Sequence, residues 1–191
     1  MMMLLMIAAG LAGAAPEPAR TNVMTDDPSA LIAAEREAMK PLAWMDGVWR
    51  GQATTQSPGG PRVVTQTERI GPMLDGSVKL MEGRGYRANG ATGFNALGML
   101  SYDPATKAYT LHSHALGRVG DFPLRPTADG YVWEIKAGPN MIRYTATLAA
   151  ATWTEIGEII APGRAPVQFF IMKLKRVGDS AWPGAGAIPP R

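Results

Sequence analysis

Two histidines stand two residues apart in the segment TLHSH, His112 and His114. In an extended strand both rings project from the same face. Two imidazoles so placed can begin a metal site, with a Glu or Asp on an adjacent strand as third ligand. They are the only histidines in the chain, so any imidazole acid–base chemistry must also use them. A Ser-His-Asp relay would need one of them with Ser101 or Ser113, but no nucleophile-elbow motif occurs. If their face turns outward, they are ordinary surface residues.

Other chemistry-bearing residues recur at the same spacing. Glu82, Arg84 and Tyr86 alternate in MEGRGY; Glu68 lies in TERI and Glu155 in TWTEIGEI. Inside a small barrel such groups orient a ligand's polar atoms, and an inward Arg84 would anchor a carboxylate. On the outer face they are a solvated wall. Trp49 shares a strand face with Gly47, Gly51 and Ala53. An indole among small residues can plug the end of a tapering barrel or offer a ring for a ligand to stack on. P-loop, dinucleotide-binding and HExxH patterns are absent, and GRGYRANG lacks the strand-to-helix context of a phosphate loop.

These residues must be positioned by strands. The chain has 191 residues, 46% hydrophobic and 18% charged, enough for one domain with its own core. Gly 22 and Pro 16 are scattered, which suits many turns. One helix is expected over DDPSALIAAEREAMKPL, capped by Asp27 with Pro28 in its first turn. Leu31, Ala34, Ala38, Leu42 and Met45 form its apolar stripe, and Pro41 is expected to end the regular helix near Lys40. Trp44 would dock this helix against the barrel mouth. After Asp46 the period changes to two. About ten strands follow, separated by turn signals such as SPGGP, GPMLDG, RANGATG, PATK and GRVG. The expected fold is all-β: a single antiparallel up-and-down β-barrel with one N-terminal helix, closed because closure removes exposed sheet edges.

The ends read differently. Residues 1–15 carry an apolar run ending in the small-x-small sequence Ala12-Gly13-Ala14, as in a signal peptide, although no Lys or Arg precedes the run. Residues 16–27 would then be a linker, 28–177 the helix and barrel, and 178–191 a Gly/Pro-rich tail. A periplasmic or secreted product is expected; translation from Met24 would instead leave it in the cytoplasm. No integral membrane segment is expected after cleavage, because the apolar run is too short for a stable span. The formal charge is +3, and the densest basic stretch, KLKRV, alternates with apolar residues, so no nucleic-acid partner is expected. The absence of cysteine removes disulfides, thiolate zinc sites and a cysteine nucleophile.

LAWMDGVWRG, TQTERI, LSYDPATKAY and the closing FFIMKLKRV, in that order, resemble the DUF1579 family of bacterial proteins, within the calycin superfamily of lipocalin-like barrels. The likeness covers about residues 40 to 177. It implies a lipocalin- or nitrobindin-like barrel of uncharacterised function. Nitrobindin-like proteins bind haem through a histidine late in the chain, and no histidine follows His114 here, so haem is not expected.

Three functions remain open at this level. One is a periplasmic barrel binding a small apolar or amphipathic ligand, its candidate lining being Trp49, Glu68, Glu82, Arg84, Tyr86, His112, His114 and Glu155. A second is a barrel enzyme, an isomerase, cyclase or hydrolase, using His112 or His114 with a glutamate, though no recognisable catalytic motif is present. The third is a filled structural or partner-binding barrel. The side chains that face inward decide among them.

Overall fold

The structure, a computed structural model, describes residues 27–180. The expected signal peptide, all but the last residue of the linker, and residues 181–191 lie outside the described residues.

Asp27 begins the first element. Its carboxylate accepts a hydrogen bond from the Ser29 backbone N–H at 3.0 Å, and Pro28 follows in the first turn of α1 (Pro28–Met39). Asp27 thus satisfies one of the amides a helix start leaves free. As expected, the regular α-helix ends beside Lys40, at Met39. The chain tightens into a 3-10 helix over Lys40–Met45, with Pro41 in its opening turn, where a missing N–H is tolerated. Leu42 and Met45 are fully buried and Met39 nearly so. The front of the expected stripe is not buried: Leu31 and Ala34 stay exposed. Only the last turn of α1 and the 3-10 helix reach the barrel. Tyr109 Oη ties them down by donating to the Ala38 carbonyl at 2.7 Å.

Ten strands follow: β1 (Gly47–Thr55), β2 (Arg62–Met73), β3 (Val78–Tyr86), β4 (Thr92–Asp103), β5 (Ala108–Ala115), β6 (Arg118–Pro126), β7 (Gly130–Ala137), β8 (Asn140–Ala149), β9 (Thr152–Ile160) and β10 (Val167–Gly178). Each pairs antiparallel with its sequence neighbours, and β1 also pairs with β10, closing the barrel. At Gly51 only glycine fits, because a Cβ would lie 1.9 Å from the Lys173 carbonyl oxygen on β10. The weakest seam is β6–β7. Its ladder holds only Leu124–Trp133, Arg125–Val132 and Pro126–Tyr131. No ladder joins residues 118–123 to 134–137.

The helical segment closes the end where β1, β3, β5, β7 and β9 begin. Leu42, Met45, Trp49, Ile70, Leu100, Trp153 and Leu174 pack there. Lys79 is buried and pairs with Asp46 at 2.6 Å, fixing the exit of the 3-10 helix to β3. Among the described residues no helix is long and apolar enough to cross a membrane.

Two turns differ from the expected chemistry. The GRVG signal is mostly strand; the turn is Leu116-Gly117, at φ 51 and φ 77. The β8–β9 turn is Ala150-Ala151, at φ 48 and φ 55. Left-handed alanine costs roughly 1 kcal/mol or more per residue, whereas Asn-Gly accepts this turn readily. The double change Ala150→Asn, Ala151→Gly is therefore expected to stabilise the protein by about 1–2 kcal/mol. A midpoint in thermal denaturation that stays put or falls would contradict this.

Candidate functional site

Strand alternation and register sort the side chains into three interior layers. The lowest is the packed, helix-covered end. Trp44 lies edge-on to Trp49 and Trp153, with centroids at 6.2 and 5.4 Å, and stacks on Tyr131 at 6.1 Å. Trp49 is 2% exposed and donates its indole N–H to the Met45 carbonyl at 2.8 Å. Trp49 therefore caps the 3-10 helix and fills the closed end. The same face carries Gly47, Gly51 and Ala53, as the alternation implied.

The middle layer holds two carboxyls. Glu68 on β2 faces Trp49 on one neighbour and Gly83 on the other. A Cβ at Gly83 would lie 2.9 Å from both Glu68 carboxyl oxygens, so this glycine makes room for the acid. Gln66 Nε2 donates to Glu68 Oε1 at 2.7 Å. Glu155 on β9 is buried and accepts from Tyr131 Oη at 2.5 Å. Its cross-strand neighbours are Ala146 and Met172. Burial pushes Glu68 up to about 8, against the Gln66 hydrogen bond and reinforced by the charges of Glu155 and Glu82. Burial pushes Glu155 up to about 7, while hydrogen bonds from Tyr131 and Trp133 oppose the rise. Burial, then the charge of Glu155, raises Tyr131 well above the usual phenol range, so it remains a proton donor.

The upper layer is aromatic. Trp133 and Tyr144 stack at 4.3 Å and 7°. Phe122 lies 5.5 Å from Trp133, and Phe170 lies 5.8 Å from Tyr144, edge-on. These four rings are half-buried although they point inward, and they sit above Glu155 toward the uncovered end. Gly157 lies between Tyr144 and Phe170 in the register; a Cβ there would come within 2.8 Å of the Tyr144 ring.

The remaining candidates lie on the outer wall. Glu82 sits between Arg69 at 2.8 Å and Arg84 at 2.5 Å, on an open depression of about 370 Å³ also lined by Tyr86. Arg84 is thus an outward partner of Glu82 and cannot anchor a ligand inside. His112 and His114 share a face, as their spacing implied, and that face is outward. His112 bridges Ser101 Oγ at 3.0 Å and Asp121 at 2.7 Å. His114 lines a second open depression, about 480 Å³, with Leu97, Leu116 and Val119. Among the described residues no group of three or more His, Asp or Glu is arranged to hold a metal ion.

The order Ser101–His112–Asp121 is that of a nucleophilic relay. It nevertheless lies mid-strand on a wall where β4 and β5 are paired on both sides. Their backbone N–H groups serve the ladders, so none remains to stabilise an oxyanion. The relay reads as a cross-strand tie.

The structure thus turns Glu68, Glu155 and Trp49 inward and Glu82, Arg84, Tyr86, His112 and His114 outward, with Glu68 also bordering the depression of Glu82 and Arg84. The sequence reading did not single out Gln66, Tyr131, Trp133, Tyr144, Phe122 or Phe170. Alternation in GYVWEIKA, with Tyr131 and Trp133 on one face, was the available signal for two of them. In comparisons with known proteins the chain matches no family model and no curated protein.

Proposed function

We propose that the protein is a binding barrel for a small apolar or amphipathic molecule, exported to the periplasm, as the apolar N-terminal sequence and the resemblance to DUF1579 barrels suggest. The observation that carries this reading is the aromatic mouth. Phe122, Trp133, Tyr144 and Phe170 point inward yet stay half-exposed, directly above two carboxyls in a layer of small residues. A filled structural barrel would bury such rings, since large apolar surface left open at a concave end favours an occupant. The short β6–β7 ladder flanks the same end.

The test combines native mass spectrometry of protein from its own host with titration by the neutral fluorophore N-phenyl-1-naphthylamine. One fluorophore per chain is expected, with quenching of tryptophan emission that Trp133→Phe diminishes. Absence of both a co-purified molecule and fluorophore uptake would favour the filled barrel. Amino-terminal sequencing of the native product decides export: a chain starting at Met24 in the cytoplasm would refute it.

A further inference from the structure

We propose that the ligand is a cation, an amine or quaternary ammonium group on an apolar or aromatic body, held between Glu155, Glu68 and the ring cluster of Trp133 and Tyr144. This rests on reading the barrel as a binding cup.

Glu68 and Glu155 are two acids in one interior, and among the described residues neither forms an ion pair. Lys79 is the one basic side chain buried in the barrel, and it is committed to Asp46 at the closed end. Arg50, Arg69, Arg84, Arg143 and Lys173 occupy outward positions, and Arg62 and Arg118 are exposed at the open rim. Buried charges in proteins are normally compensated by a partner or by neutralisation. Among the described residues no basic side chain reaches Glu68 or Glu155, so protonation is the compensation left to the empty barrel, and a cationic ligand would take its place.

A cation over the face of Trp or Tyr is attracted by the ring quadrupole, more strongly when water is excluded. Trp133 and Tyr144 stack on each other in the tier above Glu155, where Tyr144 pairs with Gly157, two residues along β9 from the acid. An ammonium seated there meets a carboxylate and aromatic surface together. An anionic ligand meets two acids and no cation, so the interior rejects fatty or aromatic carboxylates.

Proton linkage gives the proposal a signature. Without ligand the carboxyls hold their protons at mildly acid pH, because burial disfavours their charge. A cation favours the ionised form and so drives a proton out on binding.

The experiment uses benzyltrimethylammonium as probe, with 3-phenylpropanoate and benzyl alcohol as anionic and neutral controls. Calorimetry at pH 6 is run in two buffers of unlike ionisation enthalpy. The cation is expected to bind at least tenfold more tightly than either control and to release about one proton. Glu155→Gln, which keeps an acceptor for Tyr131, should weaken the cation at least tenfold and abolish that release. Glu68→Gln is the second variant and should lower affinity and proton release in the same direction. Equal or tighter binding of a control would overturn the cation while leaving the binding cup. So would failure of all three probes in a protein that still takes up the neutral fluorophore. Failure of the fluorophore as well would remove the cup itself.

Discussion

Raising the pH from about 5 to 8.5 is expected to destabilise the protein, and Glu68→Gln or Glu155→Gln is expected to flatten that decline. Both carboxyls have folded-state values raised above the ordinary 4.5, to about 8 and about 7. The folded protein therefore binds more protons than the unfolded chain between about 4.5 and 8, and stability falls with rising pH in that window. Below 4.5 both states are protonated and the favourable contribution is complete. Each group contributes a slope of up to about 1.4 kcal/mol per pH unit. The summed effect by pH 8.5 is on the order of several kcal/mol, a large share of a typical domain's stability. Glutamine keeps an acceptor for Tyr131 at position 155 and for Gln66 at position 68, and it cannot ionise. Urea midpoints at pH 5, 7 and 8.5 check this. A wild-type midpoint that rises across the range, or Gln variants that track the wild type, would contradict it.

The strands were legible because the period of two is broken after Asp46 by no α-helix, only by a short 3-10 turn at Leu74–Gly76, and the turns are punctuated by Gly and Pro. Meander topology followed from short connections, and closure from the need to pair both edges. The phase of each strand was not legible. On β2, Gln66 and Glu68 face in while Thr65, Thr67 and Arg69 face out, so polarity marks neither side. On β3 the inward face is Lys79, Met81, Gly83 and Gly85, and its glycines exist to admit Glu68 and Gln66 from the neighbouring strand. On β4 to β6 the outer wall carries Leu97, Met99 and Val119, all exposed, which makes it look like a core face. Reversing the phase of a strand exchanges its whole set of side chains. Thus His112, His114 and Arg84 could be paired correctly by spacing and still be assigned to the wrong space. Pro41 was legible in part: the regular helix ends at Met39, beside the expected Lys40, but the 3-10 turn that follows and absorbs the proline was not.

Trp49→Ala is expected to cost about 3–5 kcal/mol, the range for emptying a large buried aromatic site. Trp49 is 2% exposed, packs edge-on against Trp44 and Trp153, and supports the 3-10 helix through its bond to the Met45 carbonyl. Truncation therefore opens a void at the closed end and leaves a helix carbonyl without its donor. Trp49 sits on a strand paired on both sides, to β2 and β10, so the backbone can collapse little into the void. Trp49→Phe separates the two contributions. It keeps most of the packing and loses the hydrogen bond, and should cost clearly less than the alanine change. Neither change should alter fluorophore binding at a temperature where the variant is folded, because the ring cluster that takes up the fluorophore lies beyond Trp49 and its register partner Glu68, toward the open end. Equilibrium urea denaturation with parallel fluorophore titration measures both quantities. A Trp49→Ala protein of nearly wild-type stability that no longer takes up the fluorophore would show that the indole is a ligand platform and that the closed end is held by the helix alone.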